Sequence, residues 1–123
     1  MRYAYVKDSF NNKRSIQRQI RELEMYGVDK VIVENNRKNK ALKKLIKELN
    51  SGDYLFITSI SHIGGSKRKN YKILKHFFQN EIILFVKDHK VDLKKYLILN
   101  KPKTNFSFYS KFKQTLSNYK NKT

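Results

Sequence analysis

Short runs of β-branched and aromatic residues alternate along this chain with segments whose apolar residues recur at helical spacing. The first run, Met1–Lys7, contains Tyr3, Tyr5 and Val6 and precedes a turn at Asn11–Asn12. Three further runs follow it: Val28–Val33, Tyr54–Ile60 and Ile82–Val86. Strands that alternate with helices of this length require right-handed parallel crossovers. The pattern therefore predicts an α/β three-layer sandwich, with helices on both faces of a mainly parallel sheet of four to five strands.

Three amphipathic helices are predicted between these strands. Ser15 is the expected cap of the first helix and Gly27 its end, Ser51–Gly52 ends the second, and Ser66 caps the third. The segment Ser61–Ser66 is expected to be a loop in which Gly64–Gly65 forms a tight turn with positive φ. The apolar positions of the three helices are Ile16, Ile20, Leu23 and Tyr26; Leu42, Leu45, Ile46 and Leu49; and Tyr71, Leu74, Phe77 and Phe78.

Beyond Asp88 the alternation weakens. Tyr96–Leu99 is compatible with an edge strand, and Phe106–Tyr119 is basic and carries aromatic residues at helical spacing. So many aromatic rings need a partner, which predicts that this short helix docks on the domain or on a second copy. The chain is accordingly divided into a domain at 1–92 and a basic aromatic tail at 93–123.

The charge of the chain points to a polyanionic partner. Lysine and arginine total 28 against 10 aspartate and glutamate residues, which gives a formal net charge of +18. A chain of 123 residues with that charge repels itself unless a polyanion is near, so DNA is the first candidate partner and RNA the second. Nucleotide bias in a genome also inflates lysine, and in that case the chain would be a protein-interaction module whose charge carries no function.

Several classes of site and location are disfavoured by the composition. The chain has no cysteine, and His62, His76 and His89 lack metal-ligand spacing, so we expect no metal and no cofactor. The first 20 residues are rich in charge and contain no apolar segment typical of a signal peptide. We therefore expect a cytoplasmic protein without a membrane partner.

Ser9 directly follows the first predicted strand. At the carboxyl end of a parallel strand, loops converge on a crevice where ligands bind. Lys7 lies two residues earlier on the same strand, so its side chain is expected on the same face and in reach of the same pocket. Ser9 is either a nucleophile activated by such a cation or an ordinary loop residue.

Four ordered segments resemble the catalytic domain of the serine recombinases, the resolvase and invertase family. The family opens with Gly-Tyr-x-Arg-Val-Ser-Thr, which places Ser9 at its nucleophile, and continues with a helix that carries a glutamine, here Gln19. The matching segments are Ala4–Phe10; Ile16, Gln19 and Tyr26–Asp29; Asn39–Leu45 with Gly52–Asp53; and Ile60–Ser66. The resemblance covers roughly residues 2 to 92 and implies a resolvase-like fold.

The resemblance also implies a chemistry. In the family the serine hydroxyl attacks a DNA phosphodiester and forms a phosphoserine link, while several arginines clamp the phosphate. Arginine suits that task because its planar fork stays charged and binds phosphate oxygens bidentately. Here Lys7 occupies the first arginine position, and the other arginine positions fall on Asn39, His62 and Gly65. Losing one such donor commonly costs on the order of 10²–10³ in rate, so we expect impaired strand exchange.

Candidate site residues follow from this comparison. Ser9, Lys7 and Gln19 are the predicted catalytic residues. The predicted nucleic-acid contacts are Arg37, His62, Lys67, Arg68, Lys69 and Lys72. Arg37 and the start of the third helix supply cations near the positions where the family's arginines are missing, and helix N-termini favour anions.

The leading hypothesis is a resolvase-like domain that binds DNA through phosphates and has impaired or lost recombination activity. It would act as a homodimer or in a hetero-oligomer with a related recombinase. One alternative is an active minimal recombinase or nickase that uses Ser9 with displaced cations. The other is an interaction or regulatory module without nucleic-acid chemistry.

Overall fold

The computed structural model describes residues 1–8, 13–35 and 38–101. Ten elements follow one another: β1 Arg2–Lys7, α1 Lys13–Glu24, β2 Lys30–Glu34, α2 Lys40–Glu48, β3 Tyr54–Ile57, α3 Ser61–Gly64, α4 Lys67–Gln79, β4 Ile83–Val86, β5 His89–Lys90 and α5 Leu93–Leu99. Within the described ranges, no helix has both the length and the apolar character needed to cross a bilayer.

The strands form one five-stranded sheet in the order β2-β1-β3-β4-β5. The first four strands are parallel, and β5 pairs antiparallel with β4 at the edge. β1 is flanked on both sides, with Tyr5 opposite Ile32 of β2 and Tyr3 opposite Leu55 of β3. This architecture confirms the predicted α/β class with a mainly parallel sheet.

Alternate residues of the central strands supply two separate cores. Tyr3 and Tyr5 of β1 pack into the larger core with Leu42 and Leu45 of α2 and with residues of α4 and α5. Ala4 and Val6 face the opposite way and pack into a smaller core with Leu23 of α1. Helices therefore cover both faces of the sheet, as the alternating pattern predicted.

Aromatic rings extend the smaller core across the sheet. Phe56 of β3 stacks on Tyr26 at a centroid distance of 5.5 Å and on Phe85 of β4 at 4.9 Å. The Arg2 guanidinium lies 4.9 Å from the centre of the Phe56 ring and donates to the carbonyl of Tyr26 just past the end of α1. These contacts hold the end of α1 against β1 and β3.

Asp53 joins the start of β1 to the turn before β3. Its carboxylate accepts from the amino group of Met1 at 3.0 Å and from the backbone N–H of Asn50 at 2.8 Å. Burial opposes ionisation, but these two donors outweigh it and hold the pKa of Asp53 below its usual value. Together with the bond from the N–H of Tyr54 to the carbonyl of Met1, the ion pair joins the start of β1 to the start of β3.

The structure corrects two predicted elements. Tyr96–Leu99 lies in helix α5 and is not an edge strand, because Asp92 caps that helix by accepting from the N–H of Lys95 at 3.0 Å, and Leu93 and Ile98 are buried. Ser61–Gly64, expected to be a loop, forms the short helix α3.

Several element boundaries differ from the predicted ones. Ser15 does not cap α1 but lies inside it, since the helix begins at Lys13. β2 begins at Lys30, two residues later than predicted, and β3 ends at Ile57, three residues earlier. The helix predicted at 106–119 lies outside the described residues.

Candidate functional site

Lys7 marks the carboxyl end of β1, where the loops of the parallel sheet converge. Its ammonium Nζ donates a hydrogen bond to Oδ1 of Asn39 at 2.8 Å, across the start of α2. The two residues are 32 positions apart in sequence and meet because β1 and β2 are parallel neighbours. The contact fixes a positive charge at this edge of the sheet.

Gln19 of α1 contacts the same carboxyl end of β1. Its side chain is buried, with 6% of its surface exposed, and its Nε2 donates to the backbone carbonyl of Lys7 at 2.9 Å. The same nitrogen lies 3.3 Å from Oγ of Ser15, one turn earlier on α1. Because both contacts use the amide nitrogen, Oε1 is left to accept, and Thr58 donates to it at 3.3 Å. Gln19 thus ties α1, the end of β1 and the end of β3 together.

Thr58 connects His62 to Gln19. Thr58 Oγ1 lies 3.2 Å from Nδ1 of the imidazole, and its one hydroxyl proton is already directed at Gln19. The hydroxyl must therefore accept from the histidine, which places the ring proton on Nδ1 and leaves Nε2 as an acceptor in the neutral form. Burial, and secondly the nearby charge of Lys7, lower the pKa of His62 below its usual value. The imidazole is neutral at physiological pH.

Asn39 is free to bind Lys7 because another residue caps α2. Its backbone is left-handed, with φ at 56°, and its side chain makes no capping bond. Instead the carboxylate of Glu34, at the end of β2, accepts from the N–H groups of Ala41 at 3.2 Å and Leu42 at 2.9 Å. Negative charge at a helix N-terminus is favourable, so this buried carboxylate stabilises the start of α2.

Tyr5 fixes the orientation of that carboxylate. Its hydroxyl donates to Oε1 of Glu34 at 3.2 Å, in the core beneath the sheet edge. Burial and the adjacent carboxylate raise the pKa of Tyr5, so the phenol stays protonated and remains a donor.

The turn from α3 to α4 forms the other wall of the site. Gly65 has φ at +80°, as predicted, whereas Gly64 ends α3 without a positive φ; Gly64 is buried, and its N–H donates to Oδ1 of Asn70 at 2.6 Å. Ser66 caps α4, as predicted, by accepting from the N–H of Lys69 at 3.2 Å. The turn therefore sets the direction in which the basic start of α4 projects.

The predicted nucleic-acid contacts on α4 form an exposed basic face. The side chains of Lys67, Arg68 and Lys69 occupy its first turn, and Lys72 follows one turn later. None of these four side chains belongs to the hydrogen-bond network around Lys7, as far as the described residues show it. They form a second basic surface, separate from that network.

Of the predicted site residues, the structure brings Lys7, Gln19 and His62 into one network. Ser9 and Arg37 lie outside the described residues. Sequence reasoning missed Thr58, the residue that links Gln19 to His62. The sequence indicates Thr58 only by its position, since its hydroxyl directly follows the apolar run of β3 at the same sheet edge as Lys7.

This arrangement suits the binding of an anion. The ammonium of Lys7 supplies positive charge beside Asn39, Thr58 and His62, which are neutral at physiological pH, and the start of α4 adds a separate basic surface. Among the described residues, no three histidine, cysteine, aspartate or glutamate side chains group in a way that could hold a metal ion.

Comparison with known proteins identifies one family. The family model described as Resolvase, N terminal domain, matches residues 2–108. No curated protein matches the sequence.

Proposed function

Because the chain belongs to the resolvase N-terminal domain family, the catalytic domain of serine recombinases, we propose that it binds DNA through phosphate contacts and has impaired or lost strand exchange. Family membership implies a DNA-related function, a DNA partner and oligomerisation in general. Phosphate binding without efficient recombination is the proposed refinement.

The observation that carries the proposal is the bond from Lys7 to Asn39. By the resemblance, both positions hold arginines in the family, and here a lysine and a neutral amide contact each other at 2.8 Å. A lysine is a point charge that attracts a phosphate but lacks the planar fork that clamps two oxygens. Binding is therefore retained more readily than catalysis.

His62 supports the same conclusion. It occupies a further arginine position of the family pattern, and its lowered pKa keeps it neutral near pH 7. A neutral imidazole cannot stabilise the negative charge that develops on a transferring phosphoryl group as a guanidinium does. Ser9 would then lack most of the cations that a phosphoserine-forming serine requires.

The rest of the DNA surface is proposed from charge. Lys67, Arg68, Lys69 and Lys72 on the exposed face of α4, together with Arg37, would neutralise neighbouring phosphates. These contacts position a duplex but read no sequence. The oligomer is proposed to be a homodimer or a hetero-oligomer with a related recombinase, in the cytoplasm.

The test is duplex binding as a function of salt, measured by fluorescence anisotropy on two unrelated sequences. The logarithm of the binding constant should fall linearly with the logarithm of salt concentration, by about 0.9 for each phosphate neutralised. Lys7→Gln should weaken binding to both sequences equally and reduce the slope by about 0.9, because it removes one phosphate contact.

Lys95→Gln, at an exposed position of α5, is the matched control for the change in net charge. It should reduce affinity less than Lys7→Gln does. A flat salt response would favour the interaction module without nucleic-acid chemistry. Equal effects of the two substitutions would exclude Lys7 as a phosphate contact.

A further inference from the structure

A groove between α2 and α4 shares only two rim lysines, Lys69 and Lys72, with the proposed DNA surface, and its apolar floor has no part in that surface. It has a volume of about 450 Å³ and opens beside Asn39 and Gly64. Its floor consists of aliphatic side chains, Leu42 and Ile46 from α2 and Ile73 from α4. Leu42 is fully buried, whereas both isoleucines are only partly buried. The groove therefore offers apolar surface to an outside group.

The rim of this groove is basic on both sides. Lys43 lies on the α2 side, and Lys69 and Lys72 lie on the α4 side, each with an exposed side chain. None of the described residues that line the groove is acidic. An occupant must therefore combine an apolar surface with negative charge along both of its edges.

From this combination we propose that the groove binds an acidic amphipathic helix of a partner protein. Such a helix places apolar side chains at positions i, i+3, i+4 and i+7 along one face, which matches an aliphatic floor between two helices. Glutamate or aspartate side chains on its flanks would meet Lys43 on one side and Lys69 and Lys72 on the other.

The floor argues against nucleic acid as the occupant. Bases of single strands bind proteins by stacking on aromatic rings, and none of the described residues lining the groove is aromatic. A duplex presents phosphates to a basic rim, but its apolar groups are single thymine methyls deep in the major groove, which cannot cover Leu42, Ile46 and Ile73 together. The volume holds a few leucine-sized side chains, which is what one face of a helix inserts.

The groove adjoins the phosphate site, so a helix bound in the groove would affect DNA binding. Asn39, the partner of Lys7, lines the groove as well. A helix bound there would bring carboxylates next to Lys7 and compete with DNA. This consequence alone rests on the proposed function; binding of the helix does not.

The experiment uses the full chain and two fluorescent peptides without DNA. Each peptide has about 18 residues rich in glutamate and leucine with the same composition; one places all leucines on one helical face and the other spreads them around the helix. At about 150 mM salt, where non-specific charge attraction is screened, the amphipathic peptide should bind roughly tenfold more tightly or better.

Charge-reversed variants locate the binding surface. Lys43→Glu, Lys69→Glu and Lys72→Glu together should weaken binding of the amphipathic peptide by roughly tenfold or more. The matched control reverses three exposed lysines that do not line the groove, Lys44, Lys75 and Lys95, and should have a much smaller effect.

A floor variant gives an independent readout. Ile73→Ala should reduce the difference in affinity between the two peptides, while circular dichroism shows that the helix content of the protein is unchanged. Equal affinity for the two peptides, or equal loss in the two charge-reversed variants, would overturn the proposal. It would also be overturned if reversal of Lys43, Lys69 and Lys72 abolished duplex binding but left peptide binding intact, because the groove would then be a nucleic-acid surface.

Discussion

A small number of polar side chains decide what the edge of the sheet can bind. Asn39 accepts from Lys7 because Glu34 already satisfies the N–H groups at the start of α2. Gln19 holds the backbone of Lys7 and, through Thr58, the imidazole of His62. The result is a connected set of neutral donors and acceptors around one lysine.

The protonation of His62 gives the first residue-scale prediction. Its pKa is lowered by burial and by the charge of Lys7, so the imidazole is neutral at about pH 7.5 and gains a proton only in the interval below its ordinary pKa of about 6.5. A bound phosphate favours the protonated form, so DNA affinity should rise over this interval. Anisotropy titrations of wild type and His62→Gln at a series of pH values isolate the contribution of this residue.

His62→Arg is the complementary variant for this experiment. That variant should bind more tightly than wild type at about pH 7.5 and lose the pH dependence that His62 contributes, because a guanidinium stays charged throughout. Identical pH profiles in wild type and His62→Gln would show that the imidazole does not face the bound phosphate.

The residue scale also shows how far the site could be predicted. Lys7, Gln19 and His62 followed from the family pattern, and the structure joins them in one network. Thr58 and the capping role of Glu34 could not be predicted, because hydrogen bonds between distant residues depend on how α1 and α2 sit on the sheet. Sequence spacing carries no information on that placement.

At the scale of elements, the turn between α3 and α4 controls how close these helices approach. A Cβ at Gly64 would lie 2.7 Å from the backbone nitrogen of Asn70 and 2.7 Å from Cβ of Lys69. No side chain fits at that distance unless the α4 backbone shifts, so Gly64 is needed for close packing and not for an unusual φ. Gly65 differs, since its φ of +80° is the constraint and its surroundings are open.

Gly64→Ala should therefore destabilise the fold by about 1–3 kcal/mol, the usual cost of overpacking a tight contact. Urea unfolding followed by circular dichroism measures this change in the free energy of unfolding. Gly65→Asn is the control. Asparagine adopts a left-handed backbone more readily than other non-glycine residues, so this variant should lose less of the free energy of unfolding. A Gly64→Ala variant as stable as wild type would contradict the close α3–α4 contact.

Element types were predictable where local pattern and burial agree. The four parallel strands and the helices between them follow from alternating β-branched and amphipathic segments. The strand predicted at Tyr96–Leu99 was wrong because a short apolar run fits a strand and a helix equally well. The cap at Asp92 and the packing of α5 on α4 stabilise the helix. One-turn helices such as α3 leave too little periodicity to detect.

At the scale of the whole molecule, charge and fold point to the same partner. A net charge of +18 favours a polyanion, and the family match over residues 2–108 implies that this polyanion is DNA. The two basic surfaces, one around Lys7 and one on α4, can attract a duplex without choosing a sequence. In the proposed function, charge supplies DNA binding, whereas strand cleavage would need the arginine set.

Retention of a labelled duplex on nitrocellulose, with and without detergent, tests both parts of this claim at once. The proposed function predicts that the protein retains duplex DNA in the absence of detergent and releases it when sodium dodecyl sulfate is added, since few or no phosphoserine links form. Detergent-resistant retention that Ser9→Ala abolishes would contradict the account and identify an active serine recombinase or nickase.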